Sequence, residues 1–137
     1  MPGPRVYTVD EANALVPQFE AAFTRLDELR ESLRQTKIKL TALEMIWGPK
    51  VNSPECPDHA EGLHLVRQLK ELEEGFQQVL HGLGELSATV KDVEAGLVDL
   101  YHVRDGHLVF LCWKRGEPSF AAWHHVDAGF AGRQALG

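Results

Sequence analysis

Residues 15–47 read LVPQFEAAFTRLDELRESLRQTKIKLTALEMIW, and their apolar positions step four-three-four-three: Leu15, Phe19, Ala22, Leu26, Leu29, Leu33, Thr36, Leu40, Leu43, Trp47. A second ladder with the same step reads Leu65, Leu69, Leu72, Phe76, Val79, Leu83, Leu86. Steps averaging about 3.5 residues hold apolar groups on one seam of a helix, the pattern of coiled-coil packing. These two runs set the architecture of the first two thirds of the chain.

Working outward, Thr8 followed by Val9, Asp10 and Glu11 reads as a capping box that opens helix one. Pro17 has no N–H to donate and crowds the carbonyl of Asn13, which predicts a kink or a short separate first helix. The ladder ends at Trp47, before Gly48-Pro49. From Val9 to Trp47 the rod spans roughly 58 Å at 1.5 Å per residue. Residues 48–58, rich in Gly, Pro, Asn and Ser, form a connector, and Asp58 is placed to cap helix two, which runs to about Leu86. Gly75, Gly82 and Gly84 each weaken that helix by about 1 kcal/mol against alanine. So short a connector predicts an antiparallel helical hairpin.

Beyond Ser87 the period becomes two. Thr89–Asp92, Leu97–Val103, Leu108–Trp113 and Ser119–His125 read as strands, with Asp105-Gly106 a two-residue hairpin turn. The tail, 126–137, is glycine-rich and aperiodic. The expected fold is therefore α+β in a single domain, 1–137. Helix one (8–47, kinked near Pro17) and helix two (58–86) form a coiled-coil-like hairpin, followed by a small antiparallel β-meander (88–125) and the tail.

The Asp-Gly turn pairs Arg104 with His107, His102 with Val109 and Leu100 with Leu111. A four-residue loop at 115–118 then pairs Trp113 with Phe120 and Val109 with His124. On that register one face carries Val98, Leu100, His102, Val109, Leu111, Trp113, Phe120, Ala122 and His124. The other carries Asp99, Tyr101, Val103, Phe110, Cys112, Ala121, Trp123 and His125. Both faces are too apolar for water, so one packs on the helices and the tail or a second subunit covers the other. Two helices also leave the flanks of their seams wet, and Phe23, Ile38, Met45 and Ile46 lie off the ladder, which predicts a homodimer.

The formal charge of −6 is unevenly placed: residues 1–100 carry −7 and residues 101–137 carry +1. Acidic helices argue against a nucleic-acid binder, which needs a basic stripe; Arg30, Arg34, Lys37 and Lys39 come nearest and follow Asp27, Glu28 and Glu31. The Met-Pro-Gly-Pro-Arg start has no apolar run after it, so no signal peptide is expected, nor any membrane span. Two cysteines, Cys56 and Cys112, are too few to staple a secreted fold. A cytoplasmic setting follows from these features.

Several motifs resemble the bacterial proteins grouped as the domain of unknown function 2203 family. They are Thr8-Val-Asp-Glu-Ala-Asn-Ala-Leu-Val-Pro17, Val90-Lys-Asp, Gly96-Leu-Val-Asp99, Leu111-Cys-Trp-Lys-Arg-Gly-Glu-Pro118, Trp123-His124 and Asp127-Ala-Gly-Phe-Ala-Gly-Arg133. The resemblance implies a helical hairpin with a small sheet and carries no assigned activity. In many members an acidic residue follows the histidine, where this chain has His125.

Three function classes stay open, the last of them a nucleic-acid-associated protein binding through the basic patch of helix one. In the first, the protein is a non-enzymatic homodimer whose sheet and tail bind a small ligand or protein partner through Trp113, Glu117, Trp123, His124, Asp127, Phe130 and Arg133. In the second, it is a metal-dependent, hydrolase-like enzyme, with Glu117, His124 and Asp127 holding a divalent ion and Arg133 an anionic substrate. Each metal candidate has a bland counterpart: Asp127 capping a turn, Arg133 paired to a carboxylate, His124 bonded within the sheet. Cys112, mid-strand among apolar neighbours, reads as a core thiol rather than a nucleophile. Cys56, His59 and His64 have metal-ligating chemistry but lack a second ligand pair, and histidines five apart do not share a helical face. Gly129 and Gly132 with Arg133 could meet an anion, though without the spacing of a phosphate loop.

Overall fold

A computed structural model describes residues 3–136 of the chain. It is α+β: a short helix, two long helices, then a five-stranded antiparallel sheet of strand order β1-β2-β3-β4-β5. Thr8 caps α1 (Val9–Ala14) through the expected reciprocal pair, its hydroxyl accepting from Glu11 N–H while the Glu11 carboxylate accepts from Thr8 N–H. Pro17 sits in the first turn of α2 (Val16–Trp47), where its missing N–H costs nothing. The break ahead of it makes α1 a separate helix. α3 spans His59–Glu85, and a 3₁₀ turn at Gly48–Asn52 follows α2. No helix among the described residues is long and apolar enough to cross a membrane.

The chain divides into two compact units, one made of the stretch to Thr24 together with everything from Val79, the other of Arg25–Gln78. In the second unit the ladder positions Leu26, Leu29, Thr36 and Leu65 are buried, and Leu33, Leu40, Leu69, Leu72 and Phe76 are half-buried. The Leu29 side chain lies against Gly75. Off the ladder, Ile38, Met45 and Ile46 are 55%, 82% and 68% exposed. Asp58 accepts a hydrogen bond from the Trp47 indole at 2.8 Å, tying the end of α2 to the residue before α3.

The first unit holds the sheet. β1 (Thr89–Asp92), β2 (Leu97–Arg104), β3 (His107–Lys114) and β4 (Ala122–His125) form the meander. Asp105 and Gly106 both have positive φ, +50° and +79°, the twist that a two-residue hairpin requires. The β2–β3 register is as the turn dictates, Arg104 opposite His107 and Leu100 opposite Leu111. Trp113, fully buried, packs its ring 6.0 Å from Phe19, 6.2 Å from Phe23 and 6.3 Å from Phe120, so the face of Val98, Leu100, Val109, Leu111 and Trp113 is the one laid on the start of α2.

Two features depart from the sequence reading. The tail is not wholly irregular: Gln134–Ala135 adds β5 beside β4, with Ala122 opposite Ala135. The β3–β4 register is also shifted by one, pairing Val109 with His125, Phe110 with His124 and Cys112 with Ala122. The cause is local. Phe120 N–H donates to the Asn13 side chain on α1 at 2.6 Å and so leaves the ladder. Glu117 folds back to accept from Lys114 N–H at 2.7 Å, and its carbonyl accepts from the Trp113 indole at 2.9 Å. A one-residue slip turns every side chain of β4 over. His124 therefore joins Asp99, Phe110 and Cys112, while Trp123 and His125 move to the opposite face.

Candidate functional site

The sheet face away from α2 is apolar along Leu97, Tyr101 and Phe110, yet carries two ionisable groups that are each 1% exposed, Asp99 and His124. Asp99 faces Cys112 across β2–β3, and His124 stands one strand further on. His124 Nε2 lies 3.0 Å from Asp99 Oδ2, and Nδ1 lies 2.8 Å from the His125 carbonyl. A carbonyl oxygen only accepts, so Nδ1 carries a proton. Nε2 and Oδ2 are thus each other's hydrogen-bond partner inside the sheet face. The Cys112 thiol completes the group and hydrogen-bonds Asp99. Burial first, and the Asp99 carboxylate second, push it up to about 12. That excludes Cys112 as a ready nucleophile near neutral pH.

One imidazole nitrogen of His124, an Asp99 oxygen and Cys112 Sγ all lie within 4.8 Å of one another, the one such convergence of three or more potential metal ligands among the described residues. Beside them a chamber of about 150 Å³ is lined by Lys91, Leu97, Gly129 and Phe130 as well as the three donors. Lys91 shares a face with Thr89, which pairs with Asp99, and so points to the chamber; the β1–β2 pairing slips around it, between Val90 and Asp92. Its ammonium lies 5.3 Å from the centre of the Phe110 ring. The Arg133 guanidinium lies 4.7 Å from the centroid of the Phe130 ring.

The seven residues expected to bind a ligand are dispersed. His124 and Phe130 meet at the chamber. Trp113 is core. Trp123 lies on the other face with the Arg104 guanidinium 5.1 Å over its ring. Arg133 Nη2 donates to both carboxylate oxygens of Glu117, at 2.8 and 3.0 Å, which anchors the tail to the β3–β4 loop. Asp127 is exposed in the turn after β4. Of the expected metal ligands Glu117, His124 and Asp127, then, His124 alone takes part in a donor cluster, and its companions are Asp99 and Cys112. The sequence signal for that pair was the Asp99–Cys112 cross-strand position; the histidine assigned to it was the neighbouring one. His59, weighed with Cys56 and His64, instead donates from Nδ1 to the Val51 carbonyl at 2.9 Å. Arg30 and Arg34 of the basic stretch pair with Asp27 and Glu31 at 3.5 and 2.6 Å.

No curated protein and no solved structure matches the chain. A family model does, across residues 5–136, and its description is uncharacterized conserved protein (DUF2203). Asp99, Cys112 and His124 all fall inside that match, and the chain belongs to this family.

Proposed function

We propose that the protein is a non-enzymatic, cytoplasmic homodimer whose helices form an antiparallel coiled-coil-like hairpin and whose sheet and tail hold a small ligand. The observation that carries this reading is the chamber roofed by Phe130, where a charged lysine and a buried polar pair interrupt an apolar wall. A volume of about 150 Å³ suits about five water-sized groups. Apolar walls with one ammonium at the mouth favour a short-chain carboxylate, its tail on Leu97 and Phe130 and its anionic end toward Lys91. Two unpaired cysteines accord with a reducing compartment.

Support for the dimer lies in the Arg25–Gln78 unit. Met45 and Ile46 project apolar side chains, and Leu40, Val51, Leu63 and Val66 line a groove of about 530 Å³ in the same unit. A chain that carries both knobs and groove can satisfy itself across a two-fold axis.

The two halves are tested separately. Butyrate titrated into chelator-treated protein and followed by NMR should bind in the millimolar range, with Lys91→Gln weakening it about tenfold, the worth of one charge-assisted contact. Absence of butyrate-induced shifts at Leu97 and Phe130 at tens of millimolar removes the ligand reading. Light scattering at micromolar concentration should give twice the 15.3 kDa chain mass, and the Met45→Glu/Ile46→Glu variant the single mass. A monomeric wild type removes the dimer.

A further inference from the structure

We infer that Asp99, Cys112 and His124 form a binding site for one divalent transition-metal ion of the zinc class, with a fourth position open to the chamber under Phe130. This deepens the reading of that chamber as a binding site. It assigns the ion a ligand set in which Glu117 and Asp127 have no part.

Donor chemistry carries the first step. A thiolate, an imidazole and a carboxylate are a borderline-soft set suited to zinc or cobalt, whereas calcium and magnesium take mostly oxygen ligands. Three protein ligands with one open position is the arrangement of zinc sites that also bind water or a small molecule.

Geometry carries the second. Bonds of about 2.0 Å to nitrogen and oxygen and about 2.3 Å to sulfur, at tetrahedral angles, put N and O about 3.3 Å apart and S about 3.5 Å from each. Nε2 and Oδ2 stand 3.0 Å apart, and the three donor atoms fall within 4.8 Å of one another. Side-chain shifts of about 1 Å convert one arrangement into the other, without moving the strands. The His125 carbonyl already holds Nδ1–H at 2.8 Å, which fixes the tautomer and aims Nε2 at the ion, as the outer hydrogen bond of a metal-binding histidine does.

Charge carries the third. A thiolate, a carboxylate and a neutral imidazole around M²⁺ sum to zero. A monovalent ion in that ligand set would leave a net buried charge, and a trivalent ion likewise; a divalent ion leaves none. An anion arriving at the open position makes the centre negative, and the Lys91 ammonium at the chamber mouth is placed to offset it.

The test uses the full chain, stripped with chelator and titrated with Co²⁺ by absorption and with Zn²⁺ by calorimetry. One ion per chain is expected, with a near-ultraviolet thiolate-to-cobalt band and visible bands of four-coordination. Cys112→Ala should abolish the near-ultraviolet band and weaken binding at least about 100-fold, more than loss of an outer-shell partner. That variant keeps the His124–Asp99 bond; should it fail to fold by circular dichroism, Asp99→Asn, close in size, takes its place and should weaken binding as much. Cys56→Ala should leave the band and affinity unchanged. The assignment is overturned if folded wild type takes up neither ion stoichiometrically, if Cys56→Ala removes the band, or if the folded cluster variant binds like wild type. Any of these leaves the butyrate titration on metal-free protein standing by itself, so the two failures are separable.

Discussion

Asp99→Ala is the most informative single change. It removes the acceptor 3.0 Å from His124 Nε2 and the carboxylate that the Cys112 thiol bonds, in a place where both histidine and aspartate are 1% exposed. Removing the acceptor costs about 1–3 kcal/mol, because Nε2 and the thiol stay desolvated without a partner while Nδ1 keeps the His125 carbonyl. With a urea slope of about 2 kcal/mol per molar, the midpoint should fall by about 0.5–1.5 M. Fluorescence reads this directly, since Trp113 is fully buried against Phe19, Phe23 and Phe120 and is exposed on unfolding. Adding His124→Phe to Asp99→Ala replaces the pair by apolar groups of similar total volume, next to Phe110, whose ring already lies 5.5 Å from the imidazole. The double variant should recover to within about 1 kcal/mol of wild type, as apolar replacement of buried ion pairs commonly does. A loss below about 1 kcal/mol for the single variant, or a double variant as weak as the single, would refute the account of this pair as buried, mutually satisfied and dispensable for the fold.

Three further outcomes follow from particular contacts. In native protein at pH 7, iodoacetamide should modify Cys56 and spare Cys112: a thiol pushed up to about 12 from 9 holds about 1000-fold less thiolate, and equal labelling of both by mass spectrometry counts against the buried placement. Gly96→Ala should destabilise by more than about 2 kcal/mol, because φ is +74° and the new Cβ would stand 2.5 Å from Arg115 Cβ; a neutral thermal melt contradicts that close approach. Asn13→Ala should cost about 1–2 kcal/mol by leaving Phe120 N–H without its acceptor, and it should broaden the amide signals of 118–121 in NMR, whereas unchanged spectra separate Asn13 from the β3–β4 loop.

Much of the fold was legible because it is written in local periodicity. The capping box at Thr8–Glu11, the break before Pro17, the helices and the Asp105-Gly106 turn each depend on residues within a few positions of one another. The strand β5 was not legible, since two residues, Gln134 and Ala135, carry no alternation, and their pairing is supplied by the edge of β4. The Lys91 bulge was equally silent, a consequence of how β1 meets β2 rather than of any turn residue.

The site failed to be read for a sharper reason. Asp99 opposite Cys112 followed from the two-residue turn, but the identity of the histidine beside them depends on how many residues the β3–β4 connection consumes. Loop length alone suggests four. Asn13, more than a hundred residues earlier, takes the Phe120 amide, and Glu117 draws the chain back onto Lys114, so the ladder resumes one residue late, at Ala122. His124 and His125 then exchange faces. Both sit in a strand with identical chemistry, and no property of the two residues themselves decides between them. The polar cluster is thus specified by a contact from α1, and perturbing Asn13 should alter the surroundings of His124 as well as the stability of the loop. A shift of the His124 ring resonances in Asn13→Ala, with the β2–β3 turn at Asp105-Gly106 unmoved, is what that coupling requires; His124 resonances identical to wild type would mean that β4 holds its register without α1.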